Sequence, residues 1–198
     1  MVEFDNRSAS LKGDYYILDK WYEGNITFKS GELITGLLTN YDLENDQVEV
    51  KYEDMIKVIP LLRIDNFVIA DEDNSRLFMP CENYNYGNGV LMAGVCEVLD
   101  SNYFGLIIKY TSEIKEATYV PALDMGKKED EIILKKKYFL TIGKSAYEIP
   151  GRKQLFAELY APYADDISLY LKKNKLNPKD DDDLHTILNY LNSSEVNH

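Results

Sequence analysis

The chain carries two textures of hydrophobic and polar positions. From about residue 15 to 149, short β-branched and aromatic runs alternate with turn residues, and from 151 to 192 the spacing becomes helical and rich in Leu, Tyr and Lys. The first texture predicts antiparallel strands spaced by roughly 8–12 residues and joined by hairpin turns. Strand-like runs fall at residues 13–18, 25–28, 32–39, 47–52, 55–59, 66–70, 76–79, 90–99, 103–110, 114–120, 132–134 and 138–142. In Gln47-Val48-Glu49-Val50-Lys51-Tyr52 the alternation is clean: Val48, Val50 and Tyr52 share one face, and Glu49 and Lys51 are expected to face water. Ser30-Gly31 and Asp100-Ser101-Asn102 read as tight turns, Pro60 stops a strand, and residues 40–46 read as a polar loop.

Helical spacing predicts one helix over residues 154–160, limited by Pro162, and a second opened by Asp165 and Asp166. The second carries Ile167, Leu169, Tyr170 and Leu171, and a last helix places Leu184, Ile187, Leu188 and Leu191 on one stripe that must dock on something. The expected fold class is α+β: a curved, mainly antiparallel, half-barrel-like sheet of about eight to eleven strands, followed by two or three C-terminal helices. Residues 1–150 form the β-rich body and 151–198 a helical segment packed on the same core, a single domain overall.

Composition narrows the picture further. With 198 residues, 45% hydrophobic and 28% charged, the chain has the make-up of a globular protein with one sizeable core. Sixteen Tyr suit half-buried strand positions and, less directly, binding surfaces. A net charge of −12 argues against nucleic acid as a partner and is compatible with a basic protein partner. No apolar run approaches the roughly 18 residues of a membrane-spanning helix. The start, Met1-Val2-Glu3-Phe4-Asp5-Asn6-Arg7, lacks the basic and apolar regions of a signal peptide, which leaves a cytoplasmic protein or a mature exported chain. Cys81 and Cys96 fit either compartment, and buried free thiols are favoured over a disulfide because nothing in the sequence fixes their proximity.

Candidate chemistry is sparse. Asp180-Asp181-Asp182-Asp183 could attract a hard cation, but acidic residues ahead of a helix more simply cap its N-terminus. Asp71-Glu72-Asp73-Asn74-Ser75 begins like a calcium loop, yet Arg76 stands where the turn glycine is needed. Gly87-Asn88-Gly89 lacks the strand-to-helix context of a dinucleotide loop, His185 is a lone helical histidine, and His198 is terminal. No catalytic residue, metal ligand or cofactor site is assigned. The best recognition segment is Asn83-Tyr84-Asn85-Tyr86-Gly87-Asn88-Gly89, where Tyr84, Asn85, Tyr86 and Asn88 combine ring surface with adaptable hydrogen bonding to a protein or small molecule. The plainer reading, a long hairpin connection whose Tyr rings fold back onto the sheet, is favoured. Lys127-Lys128 and Lys135-Lys136-Lys137 read as solvated edge positions.

Three stretches carry a resemblance: Tyr41-Asp42-Leu43-Glu44-Asn45-Asp46-Gln47-Val48-Glu49-Val50, the hairpin over residues 94–110, and Tyr170-Leu171-Lys172-Lys173-Asn174-Lys175-Leu176 through Leu188-Asn189-Tyr190-Leu191-Asn192-Ser193. Together they resemble an uncharacterised family of exported bacterial envelope proteins. The resemblance implies a Gram-negative periplasmic or outer-envelope setting without known activity, and the missing signal sequence departs from that pattern. The functional expectation is therefore a non-catalytic envelope protein with a structural or binding role. An acidic cytoplasmic protein that neutralises a basic partner such as a toxin, or a carrier of a small apolar ligand held between sheet and helices, are the alternatives.

Overall fold

A computed structural model describes residues 11–71, 74–119, 123–150, 153–162, 166–178 and 180–195. The signal-peptide reading of residues 1–7, and the readings placed on Glu72, Asp73, Val120, Gly151, Asp165 and His198, lie outside the described residues. The strands are β1 (Leu11–Lys12), β2 (Tyr22–Phe28), β3 (Leu33–Asp42), β4 (Gln47–Tyr52), β5 (Met55–Pro60), β6 (Ile64–Asp71), β7 (Asn74–Pro80), β8 (Val95–Asp100), β9 (Phe104–Lys115), β10 (Asp130–Ile142) and β11 (Ser145–Glu148). Three helices follow, α1 (Lys153–Tyr160), α2 (Ile167–Lys173) and α3 (Asp181–Glu195). Hydrogen-bonded strand order is β1-β10-β9-β8-β7-β6-β2-β3-β4-β5 with β11 on β10, a mostly antiparallel sheet, open and not closed, made mixed by the parallel β1–β10 pair. The α+β class expected from the two textures is the class observed.

The chain forms two compact units: Met1–Pro80 with Tyr110–Lys136, and Cys81–Lys109 with Lys137–His198. In the first, inward-facing residues of the antiparallel strands build an apolar core in which Ile26, Tyr41, Val48, Ile64, Phe67, Ile69 and Phe78 are fully covered. Aromatic rings run through it in a row. Tyr41 stacks on Phe67 at 5.9 Å, Phe67 on Phe78 at 5.0 Å, and Phe78 meets Tyr110 at 6.3 Å, where Arg76 donates to the Tyr110 hydroxyl at 2.8 Å. Such offset pairs add to the stabilisation already given by burying the rings.

The second unit packs α1, α2 and α3 on the sheet. Phe104, Leu106, Leu140 and Ile142 of β9 and β10 meet Phe156, Tyr160, Ile167, Leu171, Leu184, Ile187, Leu188 and Leu191 of the helices in one buried cluster. The expected stripe on the last helix is thus the docking face. Asp180 performs the capping expected of the acidic run: its Oδ1 accepts the Asp183 N–H at 3.2 Å, while Asp183 Oδ2 accepts the Asn177 N–H at 2.7 Å. Asn192 ties α3 to the sheet, accepting from the Phe104 N–H and donating to the Phe104 carbonyl.

Several expectations are corrected. Residues 13–18 are not a strand: Asp14 Oδ1 takes the Tyr16 N–H in an Asx turn, and Asn40 accepts from the Leu18 N–H while donating to the Leu18 and Lys20 carbonyls. Side chains that compete for backbone groups displace regular pairing there. Residues 40–42 belong to β3 and not to a loop. Glu49 does not face water; it is 8% exposed, because Tyr16 covers that side of β4 and donates to its carboxylate at 2.7 Å. Tyr52, expected inside with Val48 and Val50, is exposed. The run expected at 114–120 is the tail of the twelve-residue β9, followed by irregular chain. The runs 132–134 and 138–142 are one thirteen-residue strand, β10, continuing through Lys135, Lys136 and Lys137. These lysines are held at the surface by Glu113, the Tyr110 ring and Glu148 respectively.

Two outcomes follow. Phe67→Ala, which opens the centre of the aromatic row, is expected to cost about 3–5 kcal/mol in urea unfolding. The Tyr16 hydroxyl is pushed up from its ordinary 10.0 to about 12, first by its hydrogen bond to Glu49, then by burial and the Glu49 charge. Tyr41 is pushed up by burial, by the charge of Asp46 and by its hydrogen bond to that carboxylate. The folded-state values lie above the unfolded ones, so this stabilisation is whole below about pH 10 and is lost as pH rises through about 12. Unfolding curves across that window should show stability falling, with a shallower fall in Tyr16→Phe.

Candidate functional site

Within the second unit, Cys81 and Cys96 are joined in a disulfide, with Cα atoms 5.1 Å apart and neither residue exposed. This overturns the preference for free thiols. The two are fifteen positions apart in sequence, and the fold of the second unit alone brings them together. The bridge closes residues 81–96 into a loop, so the stretch 90–94, expected as strand, is loop as well. Gly94, at φ +82°, turns the chain so that its carbonyl accepts the Cys81 N–H at 2.8 Å.

The four predicted recognition residues all sit on this loop, with different fates. Tyr84 folds back onto the cluster of Cys81, Met92, Cys96, Ile107, Phe139 and Ala146, as the plainer reading expected, and burial pushes its hydroxyl up. Asn85 is a structural rivet. Its N–H and side-chain amide both donate to the Lys144 carbonyl, at 2.9 and 3.1 Å, and its own carbonyl accepts the Ala146 N–H at 2.7 Å. Its Oδ1 accepts the Gly87 N–H at 2.9 Å, and Asn88 Oδ1 likewise accepts the Val90 N–H, so both Asn side chains shape the loop. Tyr86 and Asn88 remain exposed, and of the two tyrosines Tyr86 is the one whose ring is presented. It is 38% exposed, its ring lies 6.0 Å from that of Phe139, and its hydroxyl accepts from Lys109 at 2.8 Å.

Tyr86 forms one wall of a cleft of about 420 Å³ whose remaining lining is Phe139, Ala146, Tyr147, Glu148, Pro150 and Leu159. The walls are aromatic and aliphatic. The single carboxylate, Glu148, is 3.4 Å from the Lys137 ammonium at the surface. An aromatic floor with a few polar groups at the rim is the kind of lining that can hold and orient a ligand. Sequence reading found Tyr86 and missed the rest, because β11 was not read as a strand. The short alternation Ser145-Ala146-Tyr147-Glu148 directly after the Gly143-Lys144 turn is the signal that marks it.

The backbone along this cleft has a definite polarity. The Ile149 N–H donates to the Tyr138 carbonyl, and the β10–β11 register matches Phe139 with Glu148, Leu140 with Tyr147 and Thr141 with Ala146. Hydrogen-bonded pairs alternate with non-bonded ones in an antiparallel ladder, so Tyr147 and Ile149 point their backbone groups at β10 while Ala146 and Glu148 point theirs away from it. The Ala146 N–H is already taken by Asn85.

Among the described residues no helix is long and apolar enough to cross a membrane, and no three His, Cys, Asp or Glu side chains gather as metal ligands. No protein-family model, curated protein or solved structure matches the chain.

Gly87 makes the loop's last turn against this wall at φ +70°, and a Cβ there would come within 2.6 Å of the Tyr147 ring. Gly87→Ala is expected to cost roughly 1–3 kcal/mol by thermal or urea unfolding. It should also speed exchange of the Ala146 amide, which the displaced loop would no longer hold.

Proposed function

We propose that the chain is a non-catalytic binding protein of an oxidising cell-envelope compartment, with the cleft beside loop 81–96 as its binding site. The observation that carries this reading is the disulfide and where it lies. Disulfides persist in oxidising compartments and are rare where thiols are kept reduced. This one closes the loop that carries Tyr86 to the cleft wall, so the bond and the site belong to one device. The resemblance of three stretches to exported envelope proteins points the same way.

The cleft lining favours recognition over reaction. Its polar groups are tyrosine hydroxyls and one ion-paired carboxylate, which orient a ligand without activating a nucleophile. Carriage of an apolar ligand between sheet and helices is less well supported, because Phe104, Leu106, Leu140, Ile142, Phe156 and Ile187 occupy that region of the second unit. Binding at the surface cleft fits the packing better.

The test is the thiol state of the protein taken from its own source. Alkylation in denaturant before any reduction is expected to leave the intact mass unchanged, and reductant plus denaturant should expose both thiols. Two alkylated thiols in the unreduced protein would overturn the compartment. The paired variant Cys81→Ser, Cys96→Ser is expected to lose about 3 kcal/mol in urea unfolding, the chain-entropy value for a closed loop of about this length.

A further inference from the structure

Resting on the cleft as the binding site, we infer that its ligand is an extended peptide that adds a strand to the open edge of β11.

The argument starts from hydrogen bonds. β11 is paired on one side only by β10. On its other side the Ala146 and Glu148 backbone groups point outward, as the Ile149-to-Tyr138 bond and the register require. Asn85 fills the first place on that edge in a parallel bridge to Ser145, accepting from Ala146 and donating to Lys144. There the loop leaves, because Gly87 at φ +70° swings it away against the Tyr147 ring. Beyond Asn85, Ala146 is covered, and the exposed Glu148 has no hydrogen-bond partner for its backbone N–H and carbonyl among the described residues. A donor and an acceptor projecting together from one edge residue are what another polypeptide backbone pairs with.

The cleft occupies the same place. Ala146, Tyr147 and Glu148 line it directly, so a chain hydrogen-bonded to this edge would lie within it. Side chains alternate across a strand, so every second residue of the guest would turn toward the rings of Tyr86 and Phe139, or toward Tyr147 and Leu159 on the other side. An apolar or aromatic residue at those positions would have its side chain against one of these two pairs of apolar walls. A small molecule without backbone-like donor and acceptor could use the rings but would leave the Glu148 N–H and carbonyl unmatched. The chain itself shows that the edge accepts a guest backbone, since Asn85 is bound to it in this way.

The experiment is selection of a phage-displayed random heptapeptide library on the full-length, oxidised protein, followed by titration of the enriched synthetic peptides. Enrichment is expected, with apolar residues alternating along the selected sequences. N-methylation of successive peptide amides should weaken binding at one position, the amide that donates to the Glu148 carbonyl. Glu148→Pro removes the outward N–H without touching the β10 ladder, since a proline is tolerated at an edge position whose N–H faces solvent. It should weaken the selected peptides about tenfold or more, the effect of losing roughly one backbone hydrogen bond in a desolvated site. Slow amide exchange at Tyr147 and Ile149 in that variant confirms that β11 remains in place.

No enrichment overturns strand addition. Peptides that lose affinity in Tyr86→Ala but ignore both N-methylation and Glu148→Pro also overturn it, while leaving the cleft as a binding site. Peptides indifferent to Tyr86→Ala as well would overturn the cleft reading together with it.

Discussion

The disulfide between Cys81 and Cys96 is the constraint on which the second unit's exposed architecture depends. A loop of this length has a steep entropic cost, about 1–2 kcal/mol for each residue whose backbone is fixed. Its own hydrogen bonds, each worth about 0.5–1.5 kcal/mol net, offset only part of that. Among them are backbone bonds from Cys81 to Gly94, Tyr84 to Cys81, Asn85 to Lys144, Tyr86 to Val90 and Met92 to Tyr84, and from Ala146 to Asn85. Covalent closure removes much of the alternative ensemble before folding begins. What it leaves is a loop whose middle is stitched to β11 and whose one presented ring, Tyr86, stands at a fixed place. Because both sulfurs sit in an apolar cluster with Met92, Ile107, Phe139 and Ala146, the bond is a structural element of the core.

Edges explain the rest of the arrangement. A sheet that is open must manage its unpaired strands, and proteins do so with short edge strands, lysines, prolines and covering loops. β11 shows all four devices: it has four residues, Lys144 precedes it, Pro150 follows it, and Asn85 covers its first place. The protection is incomplete only where the cleft begins. In the first unit β5 ends the strand order, carrying Lys57 and closing on Pro60, with Met55, Ile56 and Val58 exposed.

The fold was legible wherever local chemistry and tertiary contacts agreed. Alternation in Gln47–Tyr52 and the stripe of Leu184, Ile187, Leu188 and Leu191 each place an element correctly, and the acidic run announces the cap that Asp180 makes. It was illegible where a distant residue decides. Three consecutive lysines look like the end of a strand, yet β10 runs through them because Glu113, Tyr110 and Glu148 receive them from neighbouring strands. Glu49 alternates as a surface residue but is covered by Tyr16, thirty-three positions away. Of the site, the sequence shows the ring that is presented and the asparagines that shape its loop. The disulfide, the edge of β11 and the walls from Phe139, Tyr147 and Leu159 are products of long-range pairing, which composition and period cannot reveal.

The same energetics set what kind of binder such an edge can be. Before binding, the outward groups of Glu148 are at an edge open to water, so pairing them with a peptide exchanges one set of hydrogen bonds for another. Two such bonds at about 0.5–1.5 kcal/mol each fall short of the 4–15 kcal/mol or so that association costs in lost motion. The backbone edge therefore supplies direction and register, and the surplus must come from side chains buried against Tyr86 and Phe139 on one side or Tyr147 and Leu159 on the other. At about 25 cal/mol per Å² of apolar area, one well-fitted aromatic residue contributes a few kcal/mol and a second as much again. Affinity on this account is modest and rests on one or two anchors. Fixing the Tyr86 wall in advance with a covalent bond is then worth more than it would be at a large interface, because a small site cannot absorb the cost of ordering its own loop.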